Sequence, residues 1–156
     1  GLAMGEIEDF YSHATPIAMN NRPIQTPAKR GDVWMLELDP KNASGYRMRN
    51  VDLDTIRIPD GKYDYVIPFR HPDRIALMPT RTGGRGFGMG HTSMTQTTPG
   101  HADDVLYAGD ISFDRGTLTQ WSNQSGHYLP DTDLIDSNLT PTVKQLLPMS
   151  KFTARE

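Results

Sequence analysis

The chain has no cysteine among its 156 residues. Disulfides, Cys-ligated zinc and thiol nucleophiles are thereby excluded. No apolar run is long enough to span a membrane, and no basic-then-apolar signal peptide opens the chain, so a membrane is not an expected partner. Gly1 to Gly5 read in part as a cloning remnant; on that reading the chain is expected to be an excised domain, with any targeting segment cut away. Charge of one sign is scarce too. The 16 Lys and Arg nearly balance the 19 Asp and Glu, for a net charge of -3. No overall field draws nucleic acid, which stays the weaker of the partners considered.

What is present suits a folded domain rich in turns. The 14 glycines and 12 prolines favour short elements and long loops. A length near the usual ~100–200 residues per domain predicts a single domain over 1–156, with an N-terminal strap over 1–30 and a sheet core over 31–156. The expected fold class is α+β: a mainly antiparallel or mixed sheet of short strands, with few short helices.

Taken in order, Ile7, Phe10 and Tyr11 predict a short helix over Glu6 to His13, ended by Pro16. Ala14 to Arg30 is an irregular strap. Val33 to Leu38 reads as a strand and Asn42 to Asn50 as loop. Val51 to Ile58 alternates like a half-buried strand. Pro59-Asp60-Gly61 is turn chemistry, and Tyr63 to Phe69 is a further strand, with Pro68 placed at a sheet edge where its missing N–H is tolerated. Ile75 to Met78 is a short apolar strand. Arg70, Arg74, Arg81 and Arg85 share a stretch whose one acid is Asp73; it reads as a solvated loop, with a local basic patch as the alternative.

Arg81 to Gly90 is glycine-rich but lacks the Lys-Ser/Thr of a phosphate loop and the frame of a dinucleotide turn. His91 to Thr95 reads as a strand leaving it. Val105 to Phe113 and Thr117 to Ser122 form a hairpin across Asp114-Arg115-Gly116. Val105, Tyr107, Gly109, Ile111 and Phe113 would share one face, and Ala108-Gly109 would make a low spot open to another backbone or a ligand. Thr140-Pro141 begins a helix running to about Leu147. Pro148 stops it, and the tail is expected to fray.

The candidate catalytic residues are His91, Ser93, Asp110, Ser125, His127 and Tyr128. Two imidazoles and a mid-strand carboxylate suit acid–base chemistry near neutral pH. Ser93 or Ser125 becomes a nucleophile only with a histidine in hydrogen-bond reach. The competing expectation is a rigid corner, in which Ser125 and His127 satisfy backbone groups and Tyr128 plugs the core. No metal is expected, because His91, His127 and Asp110 have no diagnostic ligand spacing.

His91-Thr92-Ser93, Ala108-Gly109-Asp110, Gly116 and Ser125-Gly126-His127-Tyr128-Leu129-Pro130 together carry a resemblance. They resemble a module at the C-terminal end of bacterial polymorphic (Rhs-type) toxins and secreted effectors. The region after the calmodulin-binding motif of plant IQ-motif-containing proteins is similar. The family form runs His-Ser-Ser, Ala-Gly-Glu, a glycine turn, then Ser-Gly-His-Tyr-x-Pro. Thr92 stands here for the Ser, and Asp110 for the Glu, which sets the carboxylate one methylene further back.

The resemblance implies a secreted effector or toxin delivered to a target-cell cytoplasm, with a protein target or a cognate immunity protein as partner. The leading chemistry it implies is ADP-ribosyl transfer or NAD hydrolysis. His91-Thr92-Ser93 would hold NAD, with Thr92 and Arg85 as cofactor-binding candidates and Asp110 orienting the nucleophile. A protein-binding module with a structural Ser-Gly-His-Tyr loop and a metal-independent nuclease are the alternatives.

Overall fold

The computed structural model describes residues 3–80 and 88–155. The fold is α+β: eight strands form one mixed sheet, accompanied by few short helices. The strands are β1 (Trp34–Leu38), β2 (Tyr46–Asn50), β3 (Ile56–Arg57), β4 (Gly61–Pro68), β5 (Ala76–Pro79), β6 (Val105–Asp114), β7 (Thr117–Ser122) and β8 (Phe152–Thr153). They lie in the order β3-β2-β1-β5-β4-β6-β7-β8. Every pairing is antiparallel except that of β7 with β8. The helices are α1 (Met4–His13), α2 (Ile135–Asn138) and α3 (Pro141–Leu146).

Helix α1 forms where helical spacing predicts it. Phe10 packs against the core, and the Tyr11 hydroxyl donates to the Phe69 carbonyl at 2.6 Å. Strand β1 forms where a strand is expected, with Trp34 and Leu36 buried.

Strand β2 was expected to be loop, and its neighbour 51–58 to be strand; the structure reverses them. Tyr46, Met48 and Asn50 are buried, while Arg47 and Arg49 on the other face pair with Glu37. The cause of the reversal is Asn50. Its side-chain oxygen accepts from the Asp52 and Leu53 amides at 3.0 and 3.1 Å, which bends the chain into a turn. Asp54 then takes φ 53°, in the left-handed region that Asp tolerates. The alternating run 51–58 is therefore exposed throughout, and only Ile56–Arg57 pairs with β2.

Strand β4 is interior, between β5 and β6, not an edge. Pro68 is tolerated because the β4–β6 register shifts between Ile67 and Pro68, so its missing N–H falls at a bulge. The same shift skips Leu106 and turns Val105 to the side of Ala108, away from Tyr107. The single face expected from Val105 to Phe113 is thus broken at its first residue.

The β6–β7 hairpin forms where turn chemistry places it. Arg115 and Gly116 have φ of 47° and 87°, the pair of positive values that a two-residue primed turn requires. This turn also fastens the sheet. The Gly116 carbonyl accepts from the Tyr46 amide of β2 at 2.8 Å, and the Gly116 amide donates to Pro59. Strands far apart in the sheet order are thereby drawn together, so the sheet curls around a core of Tyr46, Tyr63, Tyr65, Phe113 and Trp121.

Helix α3 has the expected N-cap, with the Thr140 hydroxyl accepting from the Val143 amide. The tail after Pro148 does not fray. Trp121 donates to the Pro148 carbonyl at 2.7 Å, Phe152 packs its ring 4.6 Å from Trp121, and β8 pairs with β7. The Arg155 amide donates to Asn123. A buried aromatic with an indole N–H to satisfy holds the last residues down, which local polarity did not signal.

Candidate functional site

Three pieces of the motif meet over the middle of β6. Their meeting depends on Gly109. A Cβ there would lie 1.9 Å from the Ser122 carbonyl oxygen, so only glycine lets the chain leave β7 across β6. The low spot expected at Ala108-Gly109 is filled by this backbone. Tyr65 fixes the crossing by donating to the same Ser122 oxygen at 2.7 Å.

Because β7 departs here, the Gly109 carbonyl needs another donor. His91 supplies it, with Nε2 at 2.7 Å; a carbonyl partner makes that nitrogen the protonated one. His91 is buried. It opens a 3₁₀ turn, His91–Met94, where a strand was expected. The turn is favoured because the Ser93 hydroxyl reaches back to accept from the Gly90 amide at 3.0 Å.

Thr92 is fully buried under the strap. Its amide and hydroxyl both donate to the Gln25 side-chain oxygen, at 3.1 and 2.9 Å, and its hydroxyl accepts from the Gln25 amide. Ser93 accepts the Ala28 amide through its carbonyl.

Asp110 sits on β6 with its carboxylate mostly enclosed. One oxygen accepts from Ser122 at 2.7 Å and Gln120 at 3.2 Å, and the other faces Lys62 at 3.3 Å. These partners offset the desolvation cost that a mid-strand carboxylate carries. The peptide bond joining Gly109 to Asp110 is the one whose carbonyl His91 holds.

The Ser-Gly-His-Tyr loop is a corner of the kind the second expectation describes. The buried Ser125 hydroxyl accepts from the Tyr128 amide at 3.3 Å. His127 Nε2 donates to the Pro23 carbonyl at 2.8 Å, while Asn20 binds the His127 and Gly126 carbonyls. Tyr128 fills a second core beside Val66, Ala76, Val105 and Ala108. Its hydroxyl meets Thr95 and donates to the Asp103 carbonyl, both at 2.8 Å. Burial pushes the Tyr128 phenol up to about 12, against a smaller lowering by the Thr95 hydrogen bond. Leu129 closes the corner at φ 43°, a strained setting for a leucine.

The structure thus ties His91 to the Gly109 carbonyl of β6, and His127 to the strap. Among the described residues, neither His91 nor His127 is hydrogen-bonded to Ser93 or Ser125. Nor do three metal-ligating side chains converge among them. Of the residues given an NAD-holding role by the resemblance, Thr92 faces Gln25, and His91 and Ser93 face backbone. Arg85, with the rest of 81–87, lies outside the described residues.

The residues that sequence reasoning missed are in the strap. Gln25 packs where a Cβ on Gly90 would stand, 2.3 Å from its Nε2, and Arg22 does the same at Gly126, 2.5 Å from its guanidinium. The signal was there in outline: a glycine precedes each motif histidine, and the strap carries long polar side chains to fill those gaps.

No family model, curated protein or solved structure matches the chain.

Proposed function

We propose that this chain is an effector- or toxin-type domain that acts by binding a protein target, with the Ser-Gly-His-Tyr loop as a structural latch. The observation that carries this reading is the placement of the motif side chains. His91, Ser125, His127 and Tyr128 each spend a polar atom on the backbone of the domain itself. A group so engaged holds segments together and has little left for a substrate.

A surface suited to a protein stands at the other end of the sheet. Strand β3 is an edge, and Val51, Leu53, Ile56 and Ile58 around it are 42–53% exposed. An unpaired edge with apolar side chains beside it supplies both halves of strand addition: main-chain hydrogen bonds for affinity and side-chain contacts for selectivity. The partner is therefore a protein that offers an extended segment to β3. Comparative capture from target-cell extract tests this. Wild type should retain a protein that Ile56→Lys loses at unchanged melting temperature; identical retained sets would contradict the reading.

The second reading is NAD-dependent transfer or hydrolysis, and what favours it is that His91 holds the carbonyl of the peptide bond leading into Asp110. NAD turnover that Asp110→Asn abolishes would replace the binding proposal by this one.

A further inference from the structure

The β4–β5 connection carries a second arrangement that the latch does not use. Two interlocked turns run from Pro68 to Arg74, with the His71 amide donating to Pro68 and the Arg74 amide to His71. The connection is held from both sides. Tyr11 of α1 donates to the Phe69 carbonyl, and Thr140, the cap of α3, donates to Asp73 at 2.6 Å. The loop is thus fixed before any ligand arrives, which removes an ordering cost from binding.

Arg70, His71 and Arg74 project from this loop and line a cleft of about 530 Å³. That volume is within the ~300–1,000 Å³ range of small-molecule sites. Ile7, Met35 and Pro72 make the apolar part of its wall. Two carboxylates also border the cleft, and both are occupied: Glu37 by Arg47 and Arg49, Asp73 by Thr140. Among the described residues neither Arg70 nor Arg74 has an ion-pair partner. Asp103 and Asp104 share a smaller cleft of about 170 Å³ with Arg70, His71 and Arg74.

We infer that this cleft is a binding site for a small phosphate monoester with a compact apolar body. Two guanidinium forks and an imidazole offer donors to the three terminal oxygens of a phosphate, more than a carboxylate uses. The apolar wall takes the body of the ligand. A chain of net charge -3 gains no general attraction for anions, so selectivity rests on this local cluster.

Phenyl phosphate is the probe, with inorganic phosphate, phenol and benzoate as controls, titrated calorimetrically into the intact chain. Phenyl phosphate should bind at least tenfold more tightly than any control. Arg70→Gln and Arg74→Gln should each weaken it about tenfold, since each removes a charge-assisted pair. Both side chains are exposed, so both variants should melt with wild type. Met35→Ala should weaken phenyl phosphate while leaving inorganic phosphate less affected. Three results overturn the inference: no binding at millimolar probe, benzoate binding as tightly as phenyl phosphate, or Arg70→Gln/Arg74→Gln binding like wild type.

Discussion

Gly109 is the residue on which the motif depends, because the chain crosses it at a distance that no side chain survives. Gly109→Ala forces the Ser122 backbone away from β6 and strips acceptors from the Tyr65 hydroxyl and the Asp110 amide together. A loss of about 3 kcal/mol or failure to fold is expected, at the high end of overpacking costs. Gly5→Ala is the control: it lies within α1 with nothing within 4 Å of a new Cβ, so it should gain about 0.5–1 kcal/mol. Urea denaturation of both variants checks the contrast. Tyr128→Phe removes the hydroxyl that joins Thr95 to the Asp103 carbonyl and should cost about 1 kcal/mol. At this scale the sequence singled out residues that the fold engages: His91 holds β6, Thr92 and His127 hold the strap, and Tyr128 holds the Asp103 carbonyl. It was silent about what they touch, because the strap that meets them has no periodicity to read.

Among elements, those with both a pattern and a punctuating turn were legible. The β6–β7 hairpin combined strand residues with a two-residue turn, and α3 combined a Thr cap with Pro at its first position. Helix α1 likewise follows its apolar spacing. Val51 to Ile58 shows the opposite case. Its alternation is real, yet one upstream side chain, Asn50, bends it into solvent. Asn50→Ala removes that bend and also the donor to the Gly31 carbonyl, so it should destabilise the β2–β3 turn and speed amide exchange at Asp52 and Leu53. The C-terminal strand was missed because its reason for ordering lies on β7: Trp121 needs an acceptor for its indole and a ring to pack on. Phe152→Ala should cost about 2 kcal/mol, below the ~3–5 of a fully buried Phe because Phe152 is half-buried. A frayed tail would show no change.

For the whole molecule, the mixed sheet with few short helices was legible from composition and strand spacing, but its curl was not, because Tyr46 and Gly116 meet across strands with no local signal. That curl encloses several tyrosines, and the pH dependence follows from them. Burial holds Tyr107 and Tyr128 up to about 12 and raises Tyr65 well above its ordinary value near 10. The folded chain keeps these protons where the unfolded chain has released them. Stability is therefore intact below about pH 10 and falls as pH rises from there through about 12. Melting temperature should drop across that window, with phenolate absorbance from the buried tyrosines appearing only on unfolding. The central claim, that the motif histidines bind the domain's own backbone, is tested most directly by His91→Ala. Deleting this imidazole leaves the Gly109 carbonyl without its donor, so a loss of about 1–3 kcal/mol in urea unfolding is expected, with target binding retained in the variant that stays folded. Unchanged stability together with abolished function would contradict it.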